Sequence, residues 1–145
     1  MRIRTKAIVL ATLKYGDSSL IARTFPSEAG LQSFMLKGIL KSRRGRLKPA
    51  FFQPLTQLEL VTNLSTRGKL AYIREAVLTY PYATMYTDIR KSTIALFLSD
   101  MLVQSIREQE FDPHLYQYLE TSLQWLDQHE QITNFHIQFL IGLTL

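Results

Sequence analysis

The stretch IRTKAIVLATLKYGDSSLIARTFPSEAGLQSFML, residues 3–36, decides the fold. Ile3, Thr5, Ala7, Ile8, Val9 and Leu10 are β-branched or apolar and no helix-starting residue precedes them, so Ile3 to Leu13 reads as a β-strand. Tyr15-Gly16-Asp17-Ser18-Ser19 reads as a turn, because glycine permits unusual backbone angles and Asp and Ser side chains bond neighbouring amides. Leu20 to Phe25 is a second strand, closed by Pro26. Glu28-Ala29-Gly30 is a short hairpin-type connection into a third strand, Gln32 to Leu36.

Working outward, Lys37 to Pro49 is polar and has no usable period. Phe51 to Val61 is expected to hold the fourth strand, with Leu58, Leu60 and Val61 supplying its apolar face. Asn63 to Gly68 reads as a turn, and Leu70 to Leu78 as a fifth strand with Ala71, Ile73 and Val77 set against Arg74 and Glu75. Short strands joined by Gly- and Ser-bearing turns suit a small antiparallel barrel or sandwich. The expected fold is therefore α+β, opening with a five-stranded antiparallel OB-type β-barrel over residues 1–80; an SH3-like barrel has the same number of strands. Past Tyr80-Pro81 the period becomes helical and an α-helical domain, only partly present, is expected over 81–145. Asp88 caps a helix with the stripe Ile94, Phe97, Leu98, Met101, Leu102 and Ile106. Asp112-Pro113 is an N-cap acceptor followed by proline at the first helical position, and Leu115, Leu119, Leu123 and Leu126 follow it. Thr133 is expected to cap a third helix holding Phe135, Phe139, Leu140 and Leu143. That helix reaches Leu145 with no capping residue and no Lys or Arg in its final turn, which reads as a fragment of a longer chain.

Charge divides the chain at the same place. The net charge is +5, but residues 1–80 hold 14 Lys and Arg against 4 Asp and Glu, and residues 81–145 hold 3 against 8. A basic surface on the first part points to a polyanion such as nucleic acid. Its densest piece is KGILKSRRGRLKP, where Lys37, Lys41, Arg43, Arg44, Arg46 and Lys48 occur with no acid among them. These are candidate phosphate contacts, which would make binding strongly salt-dependent. Arg67 and Lys69, on a turn between strands, extend the patch, as do Arg2, Arg4 and Lys6 if their side chains share a face. The bland alternatives are a solvated loop, or a contact with the acidic helical part of the same chain. Among the interleaved aromatics Tyr15, Phe34, Phe51, Phe52 and Tyr72, most are expected in the core, and Tyr15 and Phe51 are the candidates for base stacking because they flank turns. In the helical part the aromatics read as packing between helices, with Trp125 set apart from them and a surface suited to docking an apolar peptide.

Catalytic signatures are absent. There is no cysteine, and the three histidines His114, His129 and His136 lie in the acidic part without a metal-ligand spacing. No phosphate loop ends in Lys-Ser/Thr, and Ser18-Ser19 has no nearby base. The expectation is a non-enzymatic protein with no cofactor and no metal. No apolar run is long enough to span a membrane and the N-terminus lacks the features of a signal peptide, so a cytoplasmic location is expected.

Taken in order, the A-I-V-L strand, Y-G-D-S-S, the Pro- and Gly-closed hairpin, K-G at Lys37-Gly38, the basic run containing S-R, Q-P-L-x-x-L-E-L from Gln53 to Leu60 and R-E-A at Arg74 to Ala76 resemble the bacterial RecO recombination-mediator family over the whole chain. The resemblance implies an OB domain followed by the first helices of a second domain. It also implies binding to single- and double-stranded DNA, annealing of complementary strands, contacts with RecR and with single-strand-binding protein, and help in loading RecA, without turnover. By the same resemblance the loop cations contact phosphate, and Arg90, Lys91 or Arg107 would have to form any pocket for the acidic tail of single-strand-binding protein. Family members are usually longer and many carry a four-cysteine zinc site in the part absent here. Two other readings stand beside it: an interaction adaptor whose basic loop grips an acidic protein, and an RNA-binding OB module sensitive to the 2′-hydroxyl.

Overall fold

A computed structural model describes residues 3–41, 47–62, 71–106 and 112–144. Five strands, β1 (Ile3–Tyr15), β2 (Ser19–Pro26), β3 (Gln32–Leu36), β4 (Gln57–Thr62) and β5 (Ala71–Leu78), close into a barrel in the order β1-β2-β3-β5-β4. Strands in a closed ring of odd number cannot all alternate in direction. The parallel neighbours here are β3 and β5, joined through Phe34–Ala71 and Met35–Tyr72. This is the order of an OB barrel. Helices α1 (Ile89–Ser105), α2 (Pro113–Gln128) and α3 (Phe135–Thr144) follow.

Strand β1 shows why the A-I-V-L run is continuous rather than alternating. Ala7 and Val9 point into the barrel with Ala22, Phe34, Leu58 and Leu60. Ile8 and Leu10 point the other way, into a second core with Phe25, Leu55, Met85 and the helix residues Leu98, Leu102, Leu119 and Leu126. All four β1 residues are fully buried. The pairing of β1 with β2 shifts between Val9 and Ala11, and the Leu10 carbonyl accepts a hydrogen bond from the Ser99 hydroxyl of α1. The bulge thus turns a ladder carbonyl toward the helix that covers it.

Three sequence expectations change. Phe51 does not start the fourth strand: Pro49–Phe52 is a 3₁₀ turn, Leu55 sits at φ 66°, and β4 begins at Gln57. No glycine marks this reversal, because Leu55 is held in place by burial and by Tyr82, whose hydroxyl donates to the Leu55 carbonyl at 2.6 Å. Phe97 is half exposed; the rest of the α1 stripe faces the core, with Leu98 and Leu102 buried, and Lys91, Ala95 and Ser99 are buried beside them. Thr133 is exposed and does not cap α3; the preceding Asn134 sits at φ 66° and its carbonyl accepts from Gln138 N–H at 3.1 Å. Asp88 and Asp112 do cap their helices, accepting from Arg90 N–H at 3.0 Å and Leu115 N–H at 3.0 Å. The Arg90 guanidinium helps hold the partly buried Asp88 carboxyl down at about 2.

Polar side chains bolt the barrel to the helices. The buried Gln57 amide donates to Tyr82 Oη at 3.1 Å and to the Glu120 carbonyl at 3.3 Å, and accepts from Gln124 Nε2 at 3.0 Å. Tyr86 Oη donates to the Pro54 carbonyl at 2.7 Å and lies 2.8 Å from Thr56 Oγ1. Burial lifts the Tyr86 phenol to about 12 and Tyr82 well above its usual range, so both remain neutral donors. Tyr116 is different: its buried hydroxyl has no hydrogen-bond partner among the described residues. Tyr86→Phe should therefore cost about 1–2 kcal/mol in urea unfolding, whereas Tyr116→Phe should be neutral or slightly stabilising. Equal losses in the two variants would contradict this assignment.

Candidate nucleic-acid interface

The two glycine-bearing motifs meet at one end of the barrel. Gly16 (φ 64°) turns the β1–β2 hairpin, and Gly38 (φ 71°) turns the chain as it leaves β3. A Cβ at either would meet nothing within 4 Å, so it is the left-handed backbone that favours glycine there. The Gly38 N–H donates to Ser19 Oγ at 3.0 Å and the Leu40 N–H to the Ser18 carbonyl at 2.9 Å. Y-G-D-S-S and K-G are therefore halves of one structure, in which the hairpin serines hold the start of the basic loop.

Apolar pegs fix that loop to the barrel. Ile39 is buried in the barrel core, and Leu47 and Phe51 pack against it. Lys37, Lys41 and Lys48 are exposed between and beside the pegs and have no ion-pair partner among the described residues. Arg43, Arg44, Arg46, Arg67, Lys69 and Arg2 lie outside the described residues. Arg4 and Lys6 carry partners: Arg4 binds Glu59 at 2.7 Å, and Lys6 reaches Glu120 of α2 at 3.4 Å. Contact with the acidic helical part thus occupies Lys6 but not these three loop lysines.

Of the two stacking candidates, Tyr15 is 58% exposed at the hairpin tip, while Phe51 is half-buried against the barrel core. Phe34 and Phe52 are buried. Tyr72, at 62% exposure, is the aromatic that sequence reasoning passed over. Register explains its place. Leu13 pairs with Ile21, Ile21 with Met35, and Met35 with Tyr72. Directly paired residues share a face. The next row, Ala22, Phe34 and Ala71, is buried inside, so Leu13, Ile21, Met35 and Tyr72 form an apolar row on the outside of four strands. Exposed Arg74 follows Tyr72 on β5, and Lys37 follows β3.

Lys91, a candidate for a tail-binding pocket, does not serve there. It is 2% exposed, and its Nζ donates to Thr84 Oγ1 at 2.7 Å and to the Asp127 carbonyl at 2.9 Å. Arg90 is bound to Asp88 at 2.9 Å, and Arg107 lies outside the described residues. The three histidines are exposed, and no group of three His, Asp or Glu among the described residues could hold a metal. Trp125 is partly exposed and stacked between His129 and Phe135, with ring centroids at 4.1 and 5.7 Å.

Residues 1–82 match the family model for the N-terminal part of recombination protein O, and residues 86–144 match the one for its C-terminal part. The chain belongs to the RecO family. It is 46% identical over 144 residues to a DNA repair protein RecO from Christiangramia forsetii, covering 99% of this chain and 60% of that one. A DNA repair protein RecO from Flavobacterium johnsoniae is 43% identical over 144 residues, with 99% and 61% covered. One from Bacteroides fragilis strain YCH46 is 35% identical over 142 residues, with 97% and 58% covered. The chain spans about three-fifths of the length of these RecO relatives. Within the RecO fold seen here, Q-P-L of Gln53 to Leu55 is the segment clasped by Tyr82 and Tyr86, so that motif is structural. No helix among the described residues is long and apolar enough to cross a membrane.

Proposed function

We propose that this chain carries the DNA-binding part of a non-catalytic recombination mediator, one that binds single- and double-stranded DNA, anneals complementary strands and acts with RecR and single-strand-binding protein in loading RecA. The observation that supports it is the basic segment that begins at Lys37: its start is held to the hairpin by Ser18 and Ser19, and Lys37, Lys41 and Lys48 are exposed with no ion-pair partner among the described residues. Cations held at the ends of such a segment on a barrel can neutralise phosphates.

The experiment is a salt titration of fluorescent single-strand DNA binding. Replacing Lys37, Lys41 and Lys48 together by alanine should weaken binding and lower the slope of log K against log salt by about 2. Reversing Arg43, Arg44 and Arg46 to glutamate should weaken it further while the circular dichroism stays unchanged. Unaltered affinity and slope in both variants would remove the loop from the interface. A wild-type chain with no measurable DNA affinity at about 0.15 M salt would favour an adaptor that grips an acidic protein.

A further inference from the structure

We propose that Ser19 is a positioning residue for the DNA contact: its hydroxyl keeps the turn that carries Lys37 and Lys41 closed, in the arrangement that meets phosphate. The inference rests on the DNA-binding reading above and gives the hairpin serine a part in it that charge alone does not.

The ladder between β2 and β3 ends at the Leu20–Leu36 pair. Past it a side chain takes over from backbone pairing: Ser19 Oγ accepts from the Gly38 N–H at 3.0 Å. The Ser18 carbonyl accepts from the Leu40 N–H at 2.9 Å, and the Lys41 N–H closes the turn on the Gly38 carbonyl at 3.1 Å. Gly38 holds φ 71° in this turn, and Ile39, 4% exposed, pins it into the barrel core. Lys37 and Lys41 stand on either side of that pin in the chain, both exposed and neither in an ion pair among the described residues. The barrel closes without this turn, since β3 joins β5 through Phe34 and Met35. The hydroxyl bond therefore acts on the turn alone.

A lysine ammonium sits on a flexible four-carbon stem, so what fixes its position is the backbone beneath it. A closed turn sets two such stems at one spacing before DNA arrives. Where the turn is open, binding must close it again, and apparent affinity falls in proportion to the closed fraction. The bound complex is the same either way, so the number of phosphates neutralised, and with it the salt slope, does not change. Losing a cation flattens the salt slope; losing the positioning bond lowers affinity at constant slope.

The test pairs amide hydrogen exchange of the free protein with fluorescence anisotropy on oligothymidylate across a salt series. Ser19→Ala should speed exchange at the Gly38 and Leu40 amides and weaken binding by about 2- to 12-fold, the worth of one hydrogen bond. Its salt slope should match wild type. Ser19→Thr, which keeps the acceptor, should retain wild-type exchange and affinity. Gly38→Ala opposes the left-handed backbone without removing a polar group, so it should act in the same direction, and the double variant more strongly than either. Circular dichroism should show the barrel intact in all four. Faster exchange in the double variant with wild-type affinity would overturn the positioning role, and so would unchanged exchange. A loss in Ser19→Ala that Gly38→Ala does not share at equal exchange would make the hydroxyl a direct contact and overturn it as well. A wild-type chain that binds no DNA would instead remove the DNA-binding reading itself.

Discussion

Asp127→Ala should lower the stability of the protein by about 3–5 kcal/mol, a fall in thermal midpoint on the order of 10 °C. Asp127 is 3% exposed and stands near the end of α2. Its Oδ2 accepts from Ala83 N–H at 2.9 Å, and Oδ1 accepts from Thr84 N–H at 2.8 Å and Met85 N–H at 2.9 Å. One carboxylate thus satisfies three consecutive backbone donors of the segment joining barrel to helices. The Asp127 carbonyl accepts from Thr84 Oγ1 at 2.7 Å and from Lys91 Nζ at 2.9 Å. Lys91 therefore satisfies a carbonyl from the last turn of α2, which has no partner within its own helix. Without the carboxylate, three buried or part-buried N–H groups lose their acceptor, and the Thr84 hydroxyl that receives Lys91 Nζ loses its contact with Oδ1. Lys91→Met should cost less than Asp127→Ala, because the carboxylate keeps its three amide donors. Thermal and urea unfolding of the two variants settle the order; a loss below about 1 kcal/mol for Asp127→Ala, or a larger one for Lys91→Met, would show that the cluster is not what holds this segment.

Gly142→Ala should be destabilising by about 1–3 kcal/mol, although the same exchange in an open helix position stabilises by about 0.5–1 kcal/mol. An added Cβ would stand 2.1 Å from Tyr118 Oη and 2.7 Å from its Cζ. Tyr118 cannot swing away freely. Its hydroxyl donates to the Phe139 carbonyl at 2.8 Å and its ring stacks on Phe139 with centroids 5.3 Å apart. The sign of the change is the diagnostic quantity. In a double-mutant cycle with Tyr118→Leu, which vacates the space, Gly142→Ala should lose most of its cost. A stabilising Gly142→Ala in the wild-type background would mean that α2 and α3 pack less closely than described.

What could be read in the sequence was local. Asp112-Pro113 and the leucines of α2 announce a helix start and a buried stripe because both signals repeat within a few residues, and Leu119, Leu123 and Leu126 are indeed fully buried. The basic loop was visible because charge density needs no partner to be noticed. Its anchoring was not visible, because Ile39 reads as one apolar residue in a polar stretch until the barrel core is seen around it. Of the α1 stripe Ile94, Leu98, Met101, Leu102 and Ile106 face the core and Phe97 does not; that helix is apolar over much of its circumference, with exposed Ile89 and Leu96 besides Phe97, so spacing alone does not set the edge of the buried face. Charge alone makes Lys91 a pocket candidate; its burial is not legible because its partners, Thr84 Oγ1 and the Asp127 carbonyl, are brought to it by the fold. Alternation could assign Met35 to the outside of β3. That it continues into Leu13 and Tyr72 depends on cross-strand register, which no single segment encodes.

The two-sided burial of β1 has a mechanical consequence. Ile8, Leu10, Phe25 and Leu55 belong to the barrel by chain order but to the helices by contact. Baring four such side chains would cost about 6–12 kcal/mol, comparable with the whole stability of an ordinary domain. The boundary between the two family segments, near residues 82–86, is therefore a seam in sequence and not a joint in the body. A load applied to β3 or β5 would drag the helices with it, because no slack linker lies between them to absorb it. Such a load would arrive at the helical surface as a force, transmitted through β1 as through a shared beam.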